Sequence, residues 1–216
     1  MCLAVAGLVA LALVFAGPWT YEALARDTPF APATFHFTDR GTPRTIDMPV
    51  EVLLAYHGEW LAYVTGWSSS EPGTGPGGSI FTPDERAHMS DVRHVFIGFE
   101  VAAVVGAVVG GILLARAGRR GREAAITLAR DASIAAGAGA AAIAIVAGVA
   151  FDPLFLAFHE VFFPQGNFLF GPESNLIAMY PDAYWYGVTL RVGSAFVAVM
   201  AAIAIAAAAT LRQARR

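Results

Sequence analysis

The sequence predicts an all-α membrane protein with four transmembrane helices and an extracytoplasmic cap of loops and short interfacial helices. Of its 216 residues, 56% are hydrophobic and only 14% are charged, whereas an average soluble domain carries about 25% charged residues. Four apolar stretches come close to or exceed the roughly 20 residues that crossing a bilayer requires. All fourteen basic residues are arginines, and eight of them lie in two segments that adjoin these stretches.

The four predicted spans belong to one membrane domain, residues 1–216. They lie at about 2–19, 95–115, 132–151 and 184–211. The first is short and begins almost at Met1, an arrangement compatible with a start codon further upstream. Its end, Val14 to Ala16, also resembles a signal-peptidase site, although no positively charged segment precedes it.

The arginines predict the orientation of the chain. The clustered ones lie between the second and third spans and in the C-terminal tail: Arg116, Arg119, Arg120, Arg122 and Arg130, then Arg212, Arg215 and Arg216. By the positive-inside rule both segments are cytoplasmic. We therefore expect a multi-pass protein of the bacterial cytoplasmic membrane with both termini inside, and with residues 21–94 and 152–183 forming the outer cap.

Few polar residues lie within the spans. Glu100 and Arg191 are placed about two turns below the outer surface, so we expect them to form a structural ion pair. Gly106 and Gly110 form a small-xxx-small pair, which permits close approach of a neighbouring helix. So few polar side chains make a transporter the least favoured function.

The first outer segment predicts one surface element and one loop. Apolar and aromatic residues recur at helical spacing between Pro49 and Trp67, which predicts one or two helices lying on the membrane. Residues 66–79 are rich in Gly, Ser and Pro and predict a mobile loop with no folded element. His36 and His57 are expected to be surface or capping histidines, not catalytic ones.

A helix start precedes the second span. Thr82 can cap it, Pro83 suits the first helical position and Glu85 can complete a capping box. His88 and Asp91 are three residues apart on one face, so Asp91 can orient the imidazole. His94 lies six residues after His88 and points elsewhere. The spacing of His88, Asp91 and His94 therefore does not predict a three-ligand metal site.

A second short helix is predicted to begin at Asp152-Pro153. One face of it is aromatic apart from His159, through Phe155, Phe158, Phe162 and Phe163. Both His88 and His159 then lie just outside a span on the same side. Because histidine titrates near neutral pH, two imidazoles at one membrane surface suggest proton-transfer chemistry on a lipid-like substrate.

Composition excludes several other classes. The single cysteine, Cys2, excludes an intramolecular disulfide and a cysteine-rich metal site. No basic patch indicates nucleic acid, and no Gly-rich phosphate loop follows a strand. No cofactor and no metal are expected.

Three motifs resemble those of a bacterial integral membrane protein family that includes the lipoprotein intramolecular transacylase. They are Glu85…His88-Met89…Asp91-Val92-Arg93, Phe158-His159…Phe162-Phe163, and Leu176-Ile177…Tyr180-Pro181…Tyr184-Trp185. The four-span layout with an outer cap also matches the family. The chain departs from the family pattern at three positions: Arg93 replaces a lysine, Phe168 a tryptophan and Asn175 an acidic residue.

The resemblance implies an enzyme that moves an acyl chain from the sn-2 glyceryl oxygen to the α-amine of the N-terminal lipidated cysteine of a lipoprotein. The family's catalytic histidines map onto His88 and His159. Residues expected to support the site are Asp91, Arg93, Phe158, Phe162, Tyr180, Tyr184 and Trp185. The implied partners are a diacylated lipoprotein and membrane lipid, with no nucleic acid.

Two other readings stay open at this point. One is a membrane metalloenzyme with His88, Asp91, His159 and Glu160 as ligands, although that spacing matches no zinc motif. The other is a non-enzymatic scaffold or accessory subunit whose aromatic cap binds a partner. The sequence does not distinguish which histidine is the base, and it does not indicate an oligomeric state.

Overall fold

The computed structural model describes residues 1–39, 42–75 and 78–214. Helices make up most of the chain. In order, the elements are α1 (Cys2–Phe15), α2 (Pro18–Asp27), β1 (Ala33–Asp39), β2 (Thr42–Met48), α3 (Val50–Val64), β3 (Thr74–Gly75), β4 (Gly78–Ser79), α4 (Pro83–Arg120), α5 (Arg122–Val149), α6 (Phe151–Phe162), α7 (Asn175–Met179) and α8 (Asp182–Ala214).

Three helices are long and apolar enough to cross a membrane, namely α4, α5 and α8. α1 and α2 together are also long and apolar enough for a fourth span, which would be interrupted by a 62° bend at the short break between them. The break follows from Gly17-Pro18, since Pro18 cannot donate a helical hydrogen bond. The predicted class of helical membrane protein is thereby confirmed, with three to four helices of membrane-spanning length.

Two compact units make up the chain. The helical unit comprises Met1–Val14, Phe99–Phe151 and Thr189–Arg216, and the cap unit comprises Phe15–Gly98 and Asp152–Val188. In the helical unit, large apolar side chains such as Val101, Val104 and Val108 are exposed. An exposed apolar surface of this kind is what a lipid-facing helix presents.

Within the helical unit, α1 packs closely on α4. A Cβ placed on Gly106 would lie 2.7 Å from the carbonyl oxygen of Cys2, and one on Gly110 would lie 2.5 Å from Cγ of Leu3. The predicted role of this small-residue pair in close helix packing is confirmed.

The predicted pairing of Glu100 with Arg191 stays a prediction. Three ion pairs in the described part of the chain join other side chains: Glu22 with Arg26, Glu71 with Arg86, and Arg130 with Asp131. If Glu100 and Arg191 neutralise each other in the membrane, replacing either one by leucine should lower the yield of folded protein more than replacing both, because a lone charge in lipid is costly. Size-exclusion chromatography of the three variants measures this, and a double variant no better than the worse single one contradicts the pairing.

The cap unit contains a β-hairpin that was not predicted. Strands β1 and β2 pair antiparallel, with Phe35 opposite Ile46 and Ala33 opposite Met48. Ala33 and Phe35 are buried while Thr34 and His36 are exposed, which is the two-residue alternation of a half-buried strand. That alternation was the available sequence signal for β1.

Asn175 ties the open edge of β1 to the rest of the cap unit. Its Oδ1 accepts a hydrogen bond from the backbone N–H of His36 at 2.7 Å. Its Nδ2 donates to the carbonyls of His36 at 3.0 Å and Ile80 at 2.7 Å. An ionised carboxylate has no proton to donate. This departure from the family pattern therefore has a structural explanation.

The Gly-rich segment is more ordered than predicted. β3 and β4 pair antiparallel, with Thr74 opposite Ser79. Gly73 has a φ of +64°, a conformation that glycine adopts without strain, and its N–H donates to Glu59 at 3.1 Å. The prediction of a loop with no folded element was therefore wrong for these residues, and residues 76 and 77 lie outside the described ones.

Helix α3 forms one side of the buried core of the cap unit. The prediction of helix between Pro49 and Trp67 is confirmed as a single helix, with Leu53, His57 and Trp60 buried on one face. Its position on a membrane surface stays a prediction. The same core contains Tyr21 and Phe81.

Candidate functional site

His88 lies on the first turns of α4, beyond the apolar stretch at 95–115. Thr82 and Glu85 form the predicted capping box: the N–H of Thr82 donates to Glu85 Oε2 at 2.7 Å, and the N–H of Glu85 donates to Thr82 Oγ1 at 3.2 Å. With 38 residues, α4 is about 57 Å long, well above the roughly 30 Å of a bilayer core. The first turns of α4, which contain His88, can therefore extend beyond the membrane-spanning part of the helix.

His159 lies on α6, the helix predicted to begin at Asp152-Pro153. Its Nδ1 is 2.8 Å from the carbonyl oxygen of Phe155. A carbonyl can only accept, so Nδ1 carries the proton of the neutral ring and Nε2 is the other nitrogen available to a substrate.

The structure brings the two imidazoles together. Their ring centroids are 6.2 Å apart and their planes differ by 20°. Phe163 contacts both rings, at 4.8 Å from His88 and 5.5 Å from His159. Two nitrogen bases at this separation can act on neighbouring atoms of a single head group.

The surroundings of the two rings are aromatic. Four further phenylalanines contact them: Phe170 contacts His88, and Phe155, Phe158 and Phe168 contact His159. Phe170 had no sequence signal, because it lies in a segment without helical periodicity. Phe168, where the family has tryptophan, contacts the imidazole of His159 at 5.1 Å.

Burial, followed by the neighbouring His159, lowers the pKa of His88 from 6.5 to about 4, against the smaller opposing effects of Asn167 and of the charge of Asp91. His88 is 7% exposed. At neutral pH His88 is therefore an uncharged imidazole, able to accept a proton.

Two carboxylates flank His88 at three-residue spacing on α4. Glu85, only 1% exposed, accepts hydrogen bonds from Ser174 Oγ and from the N–H of Leu176 at 2.9 Å, besides the N–H of Thr82. The sequence identified Glu85 only as a cap. In the structure the same carboxylate also holds the start of α7.

Asp91 does not bond directly to His88 in the way the sequence predicted. Its Oδ2 instead accepts hydrogen bonds from Gln165 Nε2 and Asn167 Nδ2, both at 2.7 Å. Asn167 and Asp91 both act to raise the pKa of His88. Orientation of His88 by Asp91 stays a prediction, and the observed partners of Asp91 were not predicted, because helix phase predicts a shared face and not the side chains that pack against it.

Arg93 binds backbone and not the site. Its Nη1 donates to the carbonyls of Tyr63 and Ser68, and its guanidinium lies 4.7 Å from the ring centroid of Tyr63. The charge therefore stabilises the C-terminal end of α3, where unpaired carbonyls accumulate.

The remaining predicted supporting residues divide into two groups. Phe158 contacts His159, and Phe162 packs on Phe158 at 4.7 Å between ring centroids. The others belong to an aromatic cluster about His57 and Tyr21, formed by Tyr180, Tyr184 and Trp185. Trp185 links this cluster to Phe155 at 6.0 Å.

His57 is buried, not at the surface as predicted. It is 3% exposed, and Tyr21 stacks on it at 4.5 Å between ring centroids. Its Nε2 lies 2.9 Å from the carbonyl oxygen of Ala16, so Nε2 donates. Nδ1 then accepts from the hydroxyl of Tyr180 at 3.0 Å. Both ring nitrogens are satisfied, which identifies a structural histidine.

The cap should lose stability in acid because of His57. Burial lowers its pKa from 6.5 to about 4, partly opposed by the Ala16 carbonyl. Between pH 6.5 and pH 4 the unfolded chain therefore binds a proton at His57 that the folded chain does not bind. The free energy of unfolding falls by up to about 3 kcal/mol as the pH falls across this range. Melting temperatures in detergent at pH 7 and pH 5 measure this. The His57→Gln variant should show a smaller drop, and an equal drop in both proteins contradicts the assignment.

The other two histidines lie apart from the pair. His94 is exposed, with Nδ1 2.8 Å from the carbonyl of Ser90, and His36 is exposed on β1. Among the residues that the structure describes, no three His, Cys, Asp or Glu side chains converge as a metal site requires.

Comparisons with known proteins identify related sequences and structures. A family model named Lipoprotein intramolecular transacylase Lit matches residues 26–185. The membrane integral lipoprotein intramolecular transacylase Lit from Bacillus cereus has a TM-score of 0.62 at 16% identity, over 98% of this chain and 96% of that one. The same protein with one histidine-to-arginine mutation has a TM-score of 0.63 at 15% identity, over 99% and 90%. No curated protein sequence matches significantly. At these identities the solved structures support the fold.

Proposed function

We propose that this chain, which belongs to the lipoprotein intramolecular transacylase family, is a membrane acyltransferase that acts on lipoproteins. Its substrate is the N-terminal diacylglyceryl-cysteine of a lipoprotein. The acyl chain leaves the sn-2 glyceryl oxygen and is transferred to the α-amine of the same cysteine. The observation that carries this proposal is the pair of imidazoles, 6.2 Å apart in an aromatic site.

The reaction moves one acyl group and one proton. The amine nitrogen attacks the ester carbonyl carbon, and a tetrahedral intermediate forms. The bond from that carbon to the glyceryl oxygen then breaks, leaving an amide and a free hydroxyl. One imidazole takes the proton from the attacking nitrogen and the other gives a proton to the leaving oxygen. Proton exchange between the two rings, or with water, restores the starting state.

The free amine is a suitable nucleophile. An α-amine has a pKa near 7.7–8.0, so an appreciable fraction is uncharged at neutral pH. Its N–H becomes acidic only once the nitrogen has attacked. His88, whose lowered pKa keeps its imidazole neutral, can then accept that proton.

Positioning supplies much of the remaining rate. Both reacting groups belong to one molecule, so the site has only to hold the substrate in a cyclic geometry. The phenylalanines about His88 and His159 offer an apolar surface for the glyceryl and acyl carbons. They also limit access of water, which would otherwise hydrolyse the ester.

The test is the position of the acyl chain on a reporter lipoprotein. Substrate and product have the same mass, because the transfer is intramolecular. Tandem mass spectrometry of the N-terminal peptide should therefore show an N-acyl fragment in cells that carry this protein and an sn-2 ester in cells that lack it. The N-terminus should also lose its reactivity toward amine reagents. An unchanged N-terminus contradicts the proposal and favours the scaffold reading.

The site should face outward, with residues 21–94 and 152–183 on the extracytoplasmic side and both termini inside. The clustered arginines support this orientation. Alkaline phosphatase and green fluorescent protein fusions at Gly75 and Gly121 should report opposite compartments. A cytoplasmic Gly75 would place His88 and His159 away from extracytoplasmic lipoproteins and would contradict the proposed substrate.

A further inference from the structure

A cavity of about 280 Å³ lies between the first turns of α5 and the last turns of α8, within the helical unit. Its lining includes Arg122, Glu123 and Ile126 from α5, and Thr210, Leu211 and Gln213 from α8. The proposed acyl transfer uses none of these residues. The function of this cavity is therefore a separate question.

The packing of α5 against α8 is antiparallel. A Cβ placed on Gly137 would lie 3.1 Å from Cβ of Met200, and one on Gly193 would lie 3.6 Å from Cβ of Ala144. Between these two contacts the chain advances seven residues along α5 and goes back seven along α8. A glycine on one side of each contact allows the two helix backbones to lie close together.

The cavity lies where this antiparallel pair reaches the arginine-rich end of the helical unit. The same register, continued toward the start of α5, pairs Ile126 with Leu211, and both residues line the cavity. They form the apolar part of its lining, whereas Arg122, Glu123 and Gln213 are polar. A lining of this kind suits a ligand that has an apolar part and a charged part.

The depth of the cavity follows from where the apolar stretches end. The apolar stretch of α4 ends just before Arg116, and Gly121 joins the end of α4 to α5. Because a helix rises about 1.5 Å per residue, Arg120 lies about 6 Å beyond Arg116, within the roughly 5–7 Å thickness of the headgroup layer. On α8 the apolar stretch likewise ends at Leu211, directly before Arg212. The cavity is therefore level with the headgroup phosphates.

The cavity lining carries one charge of each sign. Arg122 and Glu123 are exposed, and among the residues that the structure describes neither forms an ion pair. A guanidinium binds a phosphate through two parallel hydrogen bonds, and a carboxylate accepts hydrogen bonds from an ammonium group. The Gln213 amide can donate to a further phosphate oxygen. Together these groups are complementary to a headgroup that contains a phosphate and a primary ammonium.

We propose that this cavity binds the headgroup of a phosphoethanolamine lipid from the adjacent membrane leaflet, with the phosphate on Arg122 and the ammonium on Glu123. The glyceryl and acyl carbons then lie along Ile126 and Leu211, which are nearer to the apolar stretches of their helices. The bound lipid contacts α5 and α8 at once and so stabilises the helical unit at this end. No bond is made or broken, and the binding does not depend on the proposed acyl transfer.

Other phosphate ligands would use only part of this lining. Phosphatidylglycerol has no cation for Glu123, and the methylated ammonium of phosphatidylcholine has no N–H to donate to it. Inorganic phosphate and soluble phosphoethanolamine have no acyl carbons to bury against Ile126 and Leu211. The order of affinities therefore distinguishes a phosphoethanolamine lipid from the other ligands.

The first experiment compares these ligands on the unaltered full chain. Native mass spectrometry from detergent micelles, with lipids of identical acyl chains, should give phosphatidylethanolamine a Kd about tenfold below that of phosphatidylglycerol or phosphatidylcholine. That ratio corresponds to one additional hydrogen bond between charged groups. Inorganic phosphate and soluble phosphoethanolamine at the same concentration should not displace the lipid. Equal affinities for the three lipids, or displacement by either soluble compound, overturn the proposal.

The second experiment locates the lipid at the cavity by substitution. Arg122→Gln should weaken the binding of phosphatidylethanolamine and phosphatidylglycerol about tenfold, whereas Glu123→Gln should weaken only phosphatidylethanolamine by that factor. Arg119→Gln is the matched control, because it removes the same charge from the same end of the helical unit although Arg119 does not line the cavity. It should keep the unaltered affinity within about twofold. Equal losses in Arg119→Gln and Arg122→Gln, or a Glu123→Gln protein that keeps its preference for phosphatidylethanolamine, overturn the proposal.

Discussion

Replacing either His88 or His159 by alanine is expected to lower the rate of acyl transfer by about 10²–10⁴-fold, the usual contribution of a general acid or base. The two rings are 6.2 Å apart in an aromatic site, so each can reach a different atom of one head group. Initial rates with a synthetic diacylated lipopeptide in detergent micelles measure the loss. The double variant should be little slower than the worse single one, because groups that act as a unit are not additive.

The other histidines serve as controls for this experiment. His94 is exposed and engaged with the Ser90 carbonyl, and His36 is exposed on β1. Alanine at either position should leave the rate within about twofold, since surface substitutions usually change little. A His94→Ala protein as inactive as His88→Ala would show that the wrong histidine has been assigned.

Removing the carboxylate of Glu85 is expected to destabilise the cap unit by about 3–5 kcal/mol. Glu85 is almost completely buried, and its oxygens accept from Thr82, Ser174 and Leu176. Glu85→Ala leaves three donors without an acceptor in a place that water does not reach. Thermal unfolding in detergent, followed by light scattering and intrinsic fluorescence, measures the loss.

A matched variant separates this effect from the loss of a negative charge. Glu160 lies exposed on α6, so Glu160→Ala removes the same charge without orphaning a buried donor. It should unfold within about 0.5 kcal/mol of the natural protein. Equal stability of Glu85→Ala and Glu160→Ala would mean that the buried hydrogen bonds contribute nothing measurable.

The parts of this protein that could be predicted from sequence depend on neighbours along the chain. The capping box of Thr82 and Glu85 was predicted because its two members are one helical turn apart, and the structure has both of its hydrogen bonds. The three long helices α4, α5 and α8 were predicted from continuous apolar length. The aromatic stripe about His159 follows from helical period in the same way.

The parts that could not be predicted depend on contacts between distant segments. Asp91 shares a helix face with His88 as expected, yet its hydrogen bonds go to Gln165 and Asn167. His57 was predicted to lie at the surface, but in the structure it is hydrogen-bonded to Tyr180, which lies 123 residues later in the chain. The fold alone determines such pairings, because period and capping describe the geometry of one element. The partner of a buried polar group is set instead by which other element covers it, and its desolvation makes that partner obligatory.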